Sequence, residues 1–252
     1  MRVETRDCQP MTERTEFLQF IACAEHALTN EKDVLARVIS GEIDKELSIW
    51  STSNSIVVPR RLQQNDNFEH AKRRSDEKGW PVYLRESGGG ATPQGAGIIN
   101  VTYAYVCPQH PSIQESYEKL CNPIIDIVQD FSLPVGTGSV NGSFCDGEYN
   151  VVIADRKFAG TAQRRSWRRQ RSRQAVLFAH ALLLVDADIQ GSVAAINQFY
   201  EDCQQSKLIV PEAHINLSDL SNGDQIITPE KCAQLLHKRY SDMLDESVSP
   251  IC

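Results

Sequence analysis

Between residues 14 and 39 apolar side chains recur at helical spacing: Phe17, Phe20, Ile21, Ala24, Ala27 and Leu28, then Val34, Leu35, Val38 and Ile39. The stripe predicts one or two amphipathic helices that stop at Gly41. Beyond it the period shortens. Leu47 to Val58 (LSIWSTSNSIVV) reads as two short strands around the turn formers Ser53, Asn54 and Ser55, closed by Pro59. A charged, helix-compatible stretch from Asn67 to Lys78 stops at Gly79, and WPVYL (80–84) is a strand entering three consecutive glycines. GIINVTYAYV (97–106), rich in β-branched and aromatic residues, is a further strand.

Helical spacing returns from Ile113 to Phe131, with Tyr117, Leu120, Ile124, Ile125 and Val128 on one side. Gly136 to Gly142 reads as a turn-rich link. Two strands follow, 149–153 and 157–163, with a hairpin turn near Ala154-Asp155. Ala175 to Val185 is a long apolar strand, and helices over about 192–206 and 229–245 finish the chain, separated by Pro211 and an Asn222-Gly223 turn. No repeat or low-complexity linker divides residues 1–252. Helices flanking strands in mixed order predict a single α/β (α+β) domain with a mixed sheet.

Composition narrows the function classes. With 41% apolar and 23% charged residues the chain reads as an ordinary soluble globular protein. A formal charge of −7 argues against a general nucleic-acid binder, which needs a basic surface. The apolar stretches are too short to span a membrane, and the N-terminal MRVETRDCQPMTERTE lacks the apolar run of a signal peptide, so the expected location is cytoplasmic. Eight cysteines (Cys8, Cys23, Cys107, Cys121, Cys145, Cys203, Cys232 and Cys252) are scattered without a CxxC pair, so neither a metal site nor a disulfide framework is indicated. In a reducing compartment they are free thiols, available as buried small hydrophobes or, singly, for chemistry.

Two segments carry candidate chemistry. In Arg85-Glu86-Ser87-Gly88-Gly89-Gly90-Ala91 the glycines let a ligand lie against the backbone, their amides suit an anion, and Arg85 can pair with one. The segment lacks the Lys-Ser/Thr of a P-loop and the spacing of a dinucleotide fingerprint. Downstream, SFCDGEYN (143–150) leads into RKFAGTAQR (156–164), where the small residues Ala159, Gly160 and Ala162 leave room for a ligand beside Lys157.

Together, RESGGGA and RKFAGTAQR resemble the two signatures of the lipoate-protein ligase and octanoyltransferase superfamily, which biotin ligases also join. VVPRRLQQN around Gln64 and Asn65 looks like its strand-to-Gln segment, GIINVTYAY like its post-glycine strand, and HALLLVDAD like a later strand in which Ala181 replaces the usual glycine. The resemblance covers about residues 15–205. Pro93-Gln94 stands where His-Asp often follows the glycines, and IIN replaces Asn-Leu-Asn.

The resemblance implies an apolar tunnel for a lipoyl or octanoyl chain. Arg85, Ser87, Gly88, Gly89, Gly90 and Ala91 would line its mouth with Gly160, Thr161 and Ala162, and Lys157 would contact the acyl carbonyl or an acyl-adenylate phosphate. SFCDGEYNVVI is similar to the cysteine loop of octanoyl-GcvH amidotransferases. That likeness implies a transferase acting through a Cys145 thioester without a cofactor, with Lys157 and Arg85 lowering the thiol pKa. His180 is the nearest candidate base.

An ATP- and magnesium-dependent lipoate ligase, with Cys145 a bystander and possibly a partner subunit, is the alternative, although the chain shows no accessory ligase domain. A non-catalytic acyl-binding protein is the third. The expected acceptor is an acidic lipoyl domain or glycine-cleavage H protein, and the expected donor an acyl carrier protein or acylated H protein. Arg164, Arg165, Arg168 and Arg169 open an arginine run ending at Arg173 that is either a solvated loop or a dock for such an acidic partner.

Overall fold

In a computed structural model of the chain, residues 12–14, 16–107, 111–131, 133–168, 174–220 and 227–248 are described. The order is β1 (Thr12–Arg14), β2 (Gln19–Ile21), α1 (Ala24–Ser40), β3 (Lys45–Thr52), β4 (Ser55–Pro59), α2 (Phe68–Glu77), β5 (Val82–Arg85), β6 (Thr92–Gln94) and β7 (Ile98–Cys107). There follow α3 (Ile113–Asp126), β8 (Val135–Gly138), β9 (Asn150–Ile153), β10 (Arg156–Trp167), β11 (Ala175–Leu184), α4 (Ile189–Asp202) and α5 (Pro229–Val248). The large sheet has the order β1-β2-β3-β7-β11-β10-β9-β8 and the small one β5-β4-β6. Among the described strand pairs only β2–β3 and β4–β5 are parallel.

Strands β7 and β11 are apolar at successive positions because both faces of the sheet are covered. On one face Tyr103, Tyr105, Leu177 and Leu183 pack with Leu120 and Ile124 of α3 and Leu236 and Tyr240 of α5. On the other, Ala104, Val106, Val176 and Phe178 meet Val34, Leu35 and Val38 of α1. Farther along that second face, Ile98, Leu182 and Leu184 join a separate core with Ile56 and Val58 of β4, Phe68 of α2 and Phe199 and Tyr200 of α4. The small sheet thus packs over one end of the large sheet, beside α1.

Local signals explain the boundaries. Helix α1 ends at Gly41, whose φ of 85° is left-handed and whose N–H reaches Arg37 O and Val38 O. A capping box between Ser112 and Glu115 starts α3, and Asp188 caps α4 through Gly191 N. The β9–β10 turn falls at the expected Ala154-Asp155, with φ of 45° and 63°, as a tight two-residue hairpin requires.

Several expectations change. Helix α1 starts at Ala24 and not near residue 14, because Gln19–Ile21 hydrogen-bond along β3. The strands around Ser53-Asn54-Ser55 enter different sheets, so the chain crosses between layers there. Thr92–Gln94 and Val135–Gly138 are strands, the second at the sheet edge, where two glycines cost little packing. Helix α3 stops at Asp126 and a 3-10 turn, Gln129–Phe131, completes the segment. The Asn222-Gly223 turn lies outside the described residues. Among the described residues no helix is long and apolar enough to cross a membrane.

One backbone clasp holds β7 to the end of β11. Gly97 O accepts from Val185 N and Asp186 N at 2.9 and 3.0 Å. Gly97 has φ +77°, and a Cβ there would lie 2.0 Å from Asp186 O. Gly97→Ala is therefore expected to destabilise the fold by about 3 kcal/mol or more, through left-handed strain plus a clash with main chain, measured as a shift in denaturation midpoint.

Candidate active site

The two sheets leave a cleft of about 510 Å³ whose floor is the α1-side face of the large sheet. Trp50, Asn100, His180, Leu182 and Ala162 line the floor, and Arg85 to Gly89 and Phe144 to Gly147 border it. A smaller recess of about 50 Å³ continues between α1 and the sheet, lined mainly by apolar groups such as Leu28, Leu35 and Phe178. The architecture offers a slot for a chain-like apolar ligand with polar groups at one end.

The glycine loop follows β5 directly, and its geometry is fixed by Arg85. The Arg85 guanidinium is 8% exposed and donates to Val57 O, Thr92 Oγ1, Gly88 O and Gly90 O. Sequence reasoning gives Arg85 to an anionic ligand; in the structure it braces the loop from within. Its remaining approach is to the Cys145 sulfur, at 3.6 Å from Nη2. Gly90 N donates to the same sulfur at 3.2 Å. At Gly89 (φ +98°) a Cβ would lie 2.4 Å from Cys145 Sγ, so glycine is what lets the two loops touch. Ala91 N donates to Tyr200 Oη at 2.7 Å, and Ser87 Oγ is buried at the cleft edge without a hydrogen bond among the described residues.

Lys157 enters from β10 at a register shift between Lys157 and Ala159, a bulge that re-aims the side chain. It is 1% exposed, and its ammonium donates to Phe144 O at 2.6 Å and Cys145 O at 3.1 Å. Gly160 makes the space: a Cβ there would sit 3.2 Å from Lys157 Cε and Nζ. Thr161 bonds Tyr149 O, and both Thr161 and Ala162 line the cleft. The cysteine loop is braced by Asp146, whose Oδ1 accepts from Val140 N and Asn150 Nδ2.

The electrostatics favour a thiolate. Burial pushes the Cys145 thiol up, but Arg85, Lys157 and the Gly90 amide outweigh it and leave the pKa below that of an ordinary cysteine. Burial pushes Lys157 down to about 8, against the opposing pull of Cys145 and Asp146. Cys107, Cys121, Cys203 and Cys232 go the other way, all raised by burial. Cys145 alone among these five has the environment of a nucleophile.

Among the described residues His180 makes no hydrogen bond to the Cys145 sulfur. It lies on the cleft floor with Nδ1 3.7 Å from Glu31 Oε2. Three contributors escaped sequence reasoning. His214 stacks on Phe144 and accepts from its amide. Tyr200 holds the back of the glycine loop, and Lys207 adds positive charge near Cys145. None belongs to a motif.

Of the arginine run, Arg164 borders the cleft. Arg165 is bonded to Pro111 O and Ser116 Oγ. Arg168 departs from the docking expectation: it is folded onto Val38 O, Ile43 O and Asp44, where it closes the α1–β3 corner. Arg169 lies outside the described residues.

Residues 24–241 match the lipoyl protein ligase A/B catalytic domain family. An uncharacterized protein of Cupriavidus necator is 40% identical over 152 residues, 55% of this chain and 59% of its own length, so the match spans less than two thirds of that relative. An octanoyl-GcvH:protein N-octanoyltransferase of Kyrpidia tusciae is 30% identical over 205 residues, covering 77% of this chain and 69% of the relative. Among solved structures, a lipoate-protein ligase A bound with ATP superposes with TM-score 0.65 at 15% identity, over 88% of this chain and 81% of the other. A putative lipoate protein ligase from T. acidophilum with bound lipoic acid gives 0.63 at 14%, over 89% and 82%.

The charge arrangement makes a direct prediction. Alkylation of Cys145 by iodoacetamide should titrate with a midpoint below that of an ordinary cysteine. Arg85→Gln and Lys157→Gln should each move that midpoint upward, because each removes a cation that favours the thiolate. The pH dependence of the alkylation rate, followed by mass spectrometry of the Cys145 peptide, checks both.

Proposed function

The chain belongs to the lipoyl protein ligase A/B catalytic domain family, and on that premise we propose that it is an octanoyl or lipoyl transferase using Cys145 as nucleophile. The observation that carries this reading is the thiol itself. Cys145 stands at the mouth of the cleft with an N–H and a guanidinium directed at its sulfur, and its pKa is lowered. The relatedness to octanoyl-GcvH:protein N-octanoyltransferases supports the octanoyl-transfer part of this reading.

In this mechanism the acyl chain lies along the cleft floor toward the recess beside Leu35 and Phe178. The Cys145 thiolate attacks the acyl carbonyl of the donor. A carbon–sulfur bond forms, the bond to the donor thiol or amine breaks, and the leaving group departs with a proton given by the Lys157 ammonium. The neutral amine of an acceptor lysine then attacks the thioester; a carbon–nitrogen bond forms, the carbon–sulfur bond breaks to release the thiolate, and the amine's surplus proton returns to Lys157. Lys157, with a pKa of about 8, is suited to hold and return a proton near neutral pH. Its ammonium and the glycine-loop amides are the donors available to a developing oxyanion.

The donor is an acylated H protein or acyl carrier protein, and the acceptor a lysine of a lipoyl domain or H protein. Arg164, at the cleft border, is the member of the arginine run best situated to meet an acidic partner.

The test is to incubate the protein with octanoylated H protein or octanoyl carrier protein without ATP and to record the intact mass. A hydroxylamine-labile octanoyl adduct is expected, absent from Cys145→Ser, whose transfer rate should fall by more than about a thousandfold. Lipoylation that needs lipoate, ATP and magnesium and survives Cys145→Ser would overturn the proposal in favour of a ligase.

A further inference from the structure

The segment after α4 returns to the site. Val210 N donates to Gly142 O, Ile215 N donates to Lys157 O, and Lys157 and His214 form an isolated parallel bridge. His214, 3% exposed, is thereby wedged between the cysteine loop and the lysine strand. Its ring stacks on Phe144 at 4.1 Å with 19° between the planes. Both ring nitrogens are engaged. Nε2 accepts from Phe144 N at 3.1 Å, so Nδ1 carries the hydrogen and donates to Val210 O at 3.0 Å.

The Phe144 residue held this way is the one whose carbonyl takes the Lys157 ammonium at 2.6 Å. The next residue, Cys145, has φ 51°, a left-handed conformation that a side-chain-bearing residue adopts only when its surroundings impose it. His214 thus fixes the peptide that enters Phe144, and the Lys157 bonds to Phe144 O and Cys145 O fix the two peptides that flank Cys145.

We propose that His214, as a neutral imidazole accepting from Phe144 N–H, is the positioning residue that holds Cys145 in its strained, reactive conformation. It touches neither sulfur nor acyl group; it acts through the Phe144 peptide. The assignment rests on Cys145 being the nucleophile. Burial, with Lys157 adding to it, pushes the His214 pKa down to about 4, so the ring stays an acceptor throughout the neutral range.

The charged and titratable groups bearing on Cys145 are Arg85 from β5, Lys157 from β10 and Lys207 beyond α4. Tyr200 of α4 and Tyr117 of α3 also interact with it, and Asp146 faces Lys157. Lys157 is the ionisable neighbour of His214. None of these groups is altered by changing His214 to another neutral residue.

The experiment compares His214→Leu, which fills the space without an acceptor, with His214→Gln, whose amide oxygen can accept from Phe144 N–H. Iodoacetamide alkylation of Cys145 is the first readout because it needs no acyl donor, so it reports on the loop even if transfer activity is never found. Leu is expected to slow alkylation at neutral pH by about tenfold to a hundredfold and raise its pH midpoint, and Gln to restore most of both. For transfer, kcat should fall with KM for the acyl donor nearly unchanged. A Leu variant that is only less thermostable, with normal alkylation and kcat, overturns the proposal; so does a Gln variant as slow as Leu. Should Leu fail to fold, Phe144 amide exchange in the unaltered protein decides: strong protection is expected, and exchange at the rate of an exposed loop overturns the assignment.

Discussion

An ammonium group with almost no access to water must find acceptors inside the protein, and Lys157 takes them from two consecutive carbonyls, Phe144 O and Cys145 O. Left unpaired, such a charge would cost several kcal/mol or surrender its proton. Those carbonyls can converge on one nitrogen only if the chain turns sharply at Cys145. Most of the site follows. The bulge in β10 aims the lysine, Gly160 leaves room beside it, and Asp146 braces the far side of the loop. The sulfur then lies against Gly90, so compensating a buried cation and activating a thiol become one arrangement.

The fold brings this about by putting the two loops on different sheets. The glycine loop leaves β5 of the small sheet, and the lysine sits on β10 of the large one. Their relative placement depends on the shared core of Ile56, Val58, Ile98, Leu182 and Leu184 with α2 and α4. The cleft is the space left where that core ends and α1 has not yet covered the sheet. Arg85 ties the small sheet to the glycine loop through Val57 O and Thr92 Oγ1. Local stability and site geometry therefore share the same bonds.

Much of this was legible in the residues. Period-two and period-3.6 patterns found the central strands and most helices, and the sequence Ala154-Asp155 fell where a hairpin had to turn. Gly88 to Gly90 and Lys157 could be singled out because a glycine run and small residues beside a lysine each have a chemical reading, whereas Cys145 stood out among eight cysteines through the likeness of SFCDGEYNVVI to the cysteine loop of octanoyl-GcvH amidotransferases. Arg85 could be assigned to lowering the thiol pKa, which its charge does, but not to bracing the glycine loop, since its bonds to Val57 O, Thr92 Oγ1, Gly88 O and Gly90 O depend on which oxygens the fold brings around it. His214, Tyr200 and Lys207 were invisible for a related reason. A histidine in PEAHINLSD has no local signal, and its meaning comes from the crossing of a distant segment against Phe144. The QFI strand of β2 misled because three apolar-rich residues fit either period, and pairing with β3 settled it.

The bond between Phe144 and His214 spans 70 residues of sequence. A chain emerging from the ribosome therefore carries Cys145 well before it carries the group that orders the cysteine loop. Contacts of such separation incur loop-closure entropy and form late unless other structure has already brought their ends together. Until the 210–215 segment has docked, the Phe144 amide has no ring nitrogen to donate to, so the last ordering of the cysteine loop waits on a part of the chain made well after it.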